Sequence, residues 1–162
     1  MRPRRPLAPS TLVTSTNAGA AGGIALKHFG KGDTIGFIGC GAIGRVMARA
    51  AKAVQPDFKG VCYAPDGSHE TFAAEMSAEL GVPFTAMSSA EEMCGASDVI
   101  YTQTPGSTTC VEKSWLKPHA TIICSGSDQP TKQEIPTDIL KASKYVSDLT
   151  KQTSKVGELR SA

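Results

Sequence analysis

Thr34-Ile35-Gly36-Phe37-Ile38-Gly39-Cys40-Gly41-Ala42-Ile43-Gly44 is the stretch on which the fold turns. Its first five residues are apolar and short, as a buried strand is. Its last six spell G-x-G-x-x-G, and Ala42 to Val54 then places Ile43, Val46, Met47 and Ala50 on one helical face. A glycine triplet alone is weak, but between an apolar strand and an amphipathic helix it has a physical meaning. Gly39 permits the tight turn, Gly41 leaves room for a pyrophosphate against the backbone, and Gly44 lets the helix pack close to the strand. Ala42 and Ile43 supply the first free amides at the positive end of the helix.

The same alternation extends outward on both sides. Ser15 to Phe29 is Ala-rich and predicts a helix ended near Gly30 and Gly32. Downstream, strands are expected over 58–63, 84–86, 98–102, 120–124 and 144–147. Helices are expected over 68–80, from Ser89 to Cys94, and over 136–142, with a polar helix or tail from Asp148. Ser89 with Glu92 three residues on has the form of a capping box. Strands alternating with helices at short spacing predict an α/β fold of Rossmann type, doubly wound, with a mostly parallel sheet and helices on both faces. Residues 1–11 are expected to be an irregular segment, and 12–162 a dinucleotide-binding domain.

Composition narrows the functions. The chain has 162 residues, 40% hydrophobic and 20% charged, with a net charge of +2. That charge is too small to suggest a nucleic-acid partner. No run of about 18 apolar residues is present to span a membrane. Five cysteines without a Cys-x-x-Cys pair, and three scattered histidines, read as free thiols and no metal site. The start is Arg-rich and free of acids up to Asp33, which leaves organelle import as the alternative to a cytoplasmic location. There is no G-x-x-x-x-G-K-[ST] and no G-x-S-x-G, so neither a P-loop nor a hydrolase elbow is expected.

The expected ligand is NAD or NADP. A ribose-binding carboxylate belongs at the tip of the second strand, about 20 residues past the glycines. Asp66 stands close to that place, after Pro65, and no Arg is at the tip to clasp a 2′-phosphate; His69 is a distant candidate. The two cofactors are nearly balanced, with NAD slightly favoured. Asp66 also reads as a turn residue before Gly67.

Three later features are less generic. Thr104-Pro105 ends the strand that includes Asp98-Val99-Ile100. Trp115-Leu116-Lys117-Pro118-His119-Ala120 precedes the next strand, and Gly126-Ser127-Asp128-Gln129-Pro130-Thr131-Lys132-Gln133-Glu134-Ile135 follows it. In this order and spacing, over about residues 12 to 160, the chain resembles the ornithine cyclodeaminase and mu-crystallin family. The helix Asn17 to Lys31 resembles the one that leads into that family's cofactor domain.

The resemblance implies hydride transfer, with NAD(P), at the α-carbon of an amino acid or cyclic imine. Ornithine cyclisation to proline with loss of ammonia, ketimine reduction and alanine oxidation are the family's variants. It implies Thr104 and Pro105 beside the nicotinamide and Asp128 as the catalytic acid or base. Two positions depart from the pattern: Thr131 replaces a glycine, and Asn17-Ala18 stands where the family has Arg-Thr, its Arg holding the substrate carboxylate. Asn cannot form that bidentate charged pair.

Family members are roughly twice as long, and their other half carries dimer contacts and further substrate residues. The isolated chain is therefore expected to be incomplete as an enzyme. A non-catalytic module binding NAD(P) or a small ligand, as in mu-crystallin, and an inactive remnant are the alternatives. The expected partners are the nucleotide, a small amino acid or imine, and a second copy or a complementing chain.

Overall fold

The computed structural model describes residues 9–105 and 108–161. Helix α1 (Pro9–Phe29) precedes β1 (Thr34–Ile38), α2 (Ala42–Val54), β2 (Lys59–Tyr63), α3 (Ser68–Leu80) and β3 (Phe84–Ala86). The chain continues through α4 (Ala90–Ala96), β4 (Val99–Thr102), a 3₁₀ turn at Lys113–Trp115 and β5 (Thr121–Cys124). It closes with α5 (Thr137–Ala142), α6 (Thr150–Thr153) and a 3₁₀ turn at Glu158–Ser161. The five strands are ordered β3-β2-β1-β4-β5, and every pairing is parallel. The order reverses between β1 and β4, where a doubly wound sheet opens a crevice at its carboxyl edge.

Strand alternation divides the core between two faces. Ile35, Phe37, Cys62, Val99 and Tyr101 join Leu26 of α1, Met47 of α2 and Phe72 of α3. Ile38, Val61 and Ile100 join Met93 of α4 and Ile139 and Leu140 of α5 on the other. Both faces of the sheet are therefore covered by helices, as an apolar parallel sheet requires. Within the first layer α1 lies close on α2: a Cβ at Gly22 would overlap Met47, and the Tyr101 hydroxyl donates to the Gly22 carbonyl at 2.9 Å.

Two expected elements change. Helix α1 starts at Pro9, inside the stretch 1–11 expected to be irregular, while residues 1–8 lie outside the described residues. Proline suits a first helical turn because its missing N–H has no partner there anyway. The expected strand 144–147 does not form. Tyr145 packs against the second cluster, Val146 is left 55% exposed, and the stretch pairs with no strand of the sheet.

The capping box is shifted by one residue. Ser89 Oγ accepts from Glu92 N at 3.0 Å, as expected, but the Glu92 carboxylate takes Ser88 N (2.9 Å) and Ser88 Oγ (2.6 Å) instead of Ser89 N.

Candidate active site at the carboxyl edge of the sheet

The fold makes a different demand at each of the three loop glycines. Gly39 has φ +96°, and a Cβ there would run into the Gln103 carbonyl. A Cβ at Gly44 would press on the Gly39 carbonyl, so α2 could not sit this near β1. Gly41 has an ordinary φ of −84° and nothing within 4 Å of a would-be Cβ. The chain itself therefore does not require a glycine at 41; the space above it is open.

Helix α2 begins at this loop without a side-chain cap and with no acidic residue in its first turn. Its leading N–H groups and positive dipole end face the loop, a ready site for an anion. Ala42 is exposed and Ile43 packs into the first core cluster, which anchors the helix start. Arg45 braces the loop: Nη1 donates to the Cys40 carbonyl at 2.6 Å and to that of Gly41 at 3.2 Å, while Glu75 holds its other side. The buried Cys40 thiol is pushed up by its neighbour Cys62 and by burial, so it stays protonated and offers no nucleophile.

At the tip of β2, Asp66 Oδ1 accepts from Ser68 N (3.0 Å) and Ser68 Oγ (2.6 Å), which hold its carboxyl below the usual range. The turn-residue role of Asp66 is thus present, and its exposed carboxylate remains at the strand tip. His69 lies against Tyr63, with ring centroids 5.3 Å apart and the rings tilted by 48°, and its Nδ1 is buried without a partner.

On the other side of the switch point, β4 runs out through Thr102, Gln103, Thr104 and Pro105. Gln103 is 8% exposed, and its amide Nε2 donates to the Ile38 carbonyl (3.0 Å) and the Gly39 carbonyl (2.9 Å). Its Oε1 is buried and unpartnered, as is the Thr104 hydroxyl. Pro105 is exposed at the crevice rim.

Asp128 lies on the loop after β5, its side chain 66% exposed, in an i,i+4 ion pair with Lys132 at 2.7 Å. No described non-glycine residue has positive φ, so Thr131 carries no strain where the family pattern has glycine. Asn17 is exposed on α1. It lies about 18 Å along the helix from Phe29 at a 1.5 Å rise per residue. The Phe29 carbonyl meets Thr121 at the start of β5, and Gly19 packs on Val46 early in α2, so Asn17 stands at the crevice end of α1.

The carboxyl edge therefore gathers Gly39, Gly41, Ala42, Ile43, Gly44, Asp66, Thr104, Pro105 and Asp128 from separate parts of the chain. No direct bond joins Asp128 to the glycine loop among the described contacts. Sequence reading missed Arg45, Gln103 and two carboxylates, Glu134 and Glu158, that are 0% and 2% exposed. Gln103 left a trace, a polar amide directly after the apolar strand end. Glu134 and Glu158 left none, because each sits in a polar run that reads as solvated. Among the described residues no group of three or more His, Cys, Asp or Glu is placed to hold a metal.

Comparison with known proteins places this architecture. Residues 6–161 match the family model "Ornithine cyclodeaminase/mu-crystallin family". An alanine dehydrogenase of Archaeoglobus fulgidus is 32% identical over 155 residues, 94% of this chain and 48% of its own. The Thermococcus litoralis Δ1-pyrroline-2-carboxylate reductase, solved with NADH and L-proline, superposes with a TM-score of 0.86 at 27% identity. That match covers 91% of this chain and 46% of the other. The iminosuccinate reductase of Paracoccus denitrificans, solved with NAD+, superposes with a TM-score of 0.88 at 25% identity, covering 93% and 47%. The chain spans about half the length of the curated relatives it matches.

Proposed function

The chain belongs to the ornithine cyclodeaminase/mu-crystallin family, and from that premise we propose that its crevice binds NAD(H) as the cofactor half of an enzyme acting at the α-carbon of an amino or imino acid. The observation that carries the reading is the uncapped start of α2 under the open space at Gly41. The residues fit the cofactor on physical grounds: a glycine cradle where a Cβ would meet nothing, and the buried unpartnered Gln103 Oε1 and Thr104 Oγ1 beside it.

In this reading Gly39, Gly41 and Gly44 with the amides of Ala42 and Ile43 hold the pyrophosphate. Asp66 receives the adenosine ribose hydroxyls. Its negative charge, and its occupation of the Ser68 donors, oppose a 2′-phosphate, so NAD is preferred over NADP. Thr104 and Pro105 flank the nicotinamide. When bound, the nicotinamide supplies or accepts the hydride. Asp128 takes a proton from the substrate amine, or returns it, and Lys132 pairs with its carboxylate at 2.7 Å.

Asn17 cannot clamp a substrate carboxylate as an arginine would, so turnover requires basic groups from outside this domain. A complementing half or second copy would supply them. Ile24 and Phe29, 60% and 48% exposed on α1, offer it an apolar surface. A module that binds NAD(H) without turnover is the second reading, and Asn17 is the observation that favours it.

Calorimetric titration of the chain with NADH and NADPH, beside Gly41→Asp, tests the proposal. Aspartate is a good N-cap residue, so the variant keeps or gains thermal stability. Its charge in the phosphate cradle should weaken NADH binding at least about 100-fold, or roughly 3 kcal/mol. No NADH binding by the folded wild-type chain, or equal binding by the variant, refutes it.

A further inference from the structure

Glu134 and Glu158 are buried side chains that the proposed chemistry does not use. The Glu134 carboxylate accepts Thr102 Oγ1 at 2.8 Å, Gly126 N at 3.0 Å and, through its other oxygen, Thr104 N. Glu158 accepts Glu134 N at 2.9 Å, Ile135 N at 3.0 Å and the Ser127 hydroxyl. Every partner is a donor, and among the described residues no Lys or Arg pairs with either carboxylate. Burying two carboxylates without a cation costs several kcal/mol, so this is a poor way merely to fasten a loop.

What the pair fastens is specific. The ladder between β4 and β5 ends with Ser125 N donating to the Thr102 carbonyl at 2.9 Å. Beyond that point the two chains would part. Glu134 spans the gap, holding Thr104 N on one side and Gly126 N on the other. The carboxylate occupies the place where a Cβ of residue 126 would stand, so any side chain there would have to displace Glu134. Glu158 fixes the backbone on either side of Glu134 and also binds Ser127, the neighbour of Asp128. The strands carrying this clasp lie across the switch point from β2, beyond whose tip stands Asp66.

We propose that Glu134, held by Glu158, is the positioning residue of the nicotinamide half of the crevice: it sets the separation between Thr104 after β4 and the Ser127–Asp128 loop after β5. The clasp selects the nicotinamide ring of the dinucleotide and leaves recognition of its ADP-ribose portion to the glycine loop and Asp66. This inference rests on the NAD(H) reading above.

The test compares NADH with ADP-ribose, which lacks only the nicotinamide, on the same 162-residue chain. Glu134→Gln keeps the shape but turns one acceptor into a donor against N–H donors. It should weaken NADH about tenfold, near 1.4 kcal/mol, and leave ADP-ribose within about twofold. Thr102→Val removes a single donor without touching the backbone and should shift NADH alone, by about threefold. It keeps the inference testable if the Gln variant does not fold. A purely structural role would move both ligands together or neither. Equal loss of the two ligands, or unchanged NADH binding in either folded variant, overturns the inference while the cofactor reading stands. Failure of the wild-type chain to bind either ligand removes the cofactor reading and this inference with it.

Discussion

The two ends of the sheet treat buried charge in opposite ways. At the amino end Asp98 is matched: Oδ1 takes Lys117 Nζ at 2.8 Å and His119 Nε2 at 3.2 Å, and Oδ2 takes Thr34 N at 3.1 Å and Asp33 N at 3.2 Å. Lys117 Nζ also reaches the Ala96 carbonyl at 2.8 Å, so the start of β4 is tied to the end of α4. Burial raises the Asp98 carboxyl, but these donors outweigh it and bring it down to about 2. At the carboxyl end two carboxylates are buried without a cation, and desolvation leaves Glu134 raised. The described buried side-chain atoms without partners, His69 Nδ1, Gln103 Oε1 and Thr104 Oγ1, lie at this end too. One end is complete within the chain and holds the sheet together. The other has polar capacity left over, which is what a ligand site requires.

The largest break in this contrast should come from Gly44→Val. Its Cβ would meet backbone, the Gly39 carbonyl, which cannot yield as a side chain can. Helix α2 must shift, at a loss of about 3 kcal/mol from overpacking, read from the urea midpoint.

Asp98→Asn comes next and probes the matched end. The folded carboxyl lies near 2, below its unfolded value of 3.8, so its stabilisation is present above 3.8 and lost as the pH falls toward 2. The wild type should exceed the variant by about 2 kcal/mol at pH 7, and the difference should vanish near pH 2. A gap that persists in acid would mean that packing, not charge, is the source.

Glu134→Gln should give the opposite pH slope. A raised folded value means that this group's contribution is fully present below the unfolded value and declines as the pH rises through the folded one. The wild type should therefore gain on the variant during mild acidification. At pH 7 the two should differ by less than about 1 kcal/mol, because a lost hydrogen bond and a relieved buried charge oppose one another.

The smallest effect belongs to the outer flank, away from both ends. Arg49 and Glu79 pair at 2.6 Å with 47% and 43% of their side chains exposed. Arg49→Ala should leave the thermal midpoint unchanged within error, since solvent screens such a pair.

Much of the crevice was legible because its signals are local. The strand–glycine–helix run from Thr34 to Val54 works through near neighbours, so residue type and spacing suffice to read it. The expected strand 144–147 failed for the converse reason. Its alternation is compatible with a strand, but Tyr145 packs against the second core cluster and the stretch does not pair with the free edge of β5. Asp66 could be read two ways in sequence, and the fold realises the turn with Ser68 while leaving its carboxylate exposed at the strand tip.

By itself the sequence determined the α/β alternation, the glycine cradle and the family pattern around Thr104 and Asp128. Each depends on contacts a few residues apart or on a motif held within one loop. Only the tertiary structure decided that Gln103 pins the turn at Gly39 from 64 residues away, and that Glu158 secures Glu134 from 24 residues away. Burial decides what a carboxylate does, and burial belongs to the folded chain: in sequence Glu134 and Glu158 look no different from glutamates that stay in water.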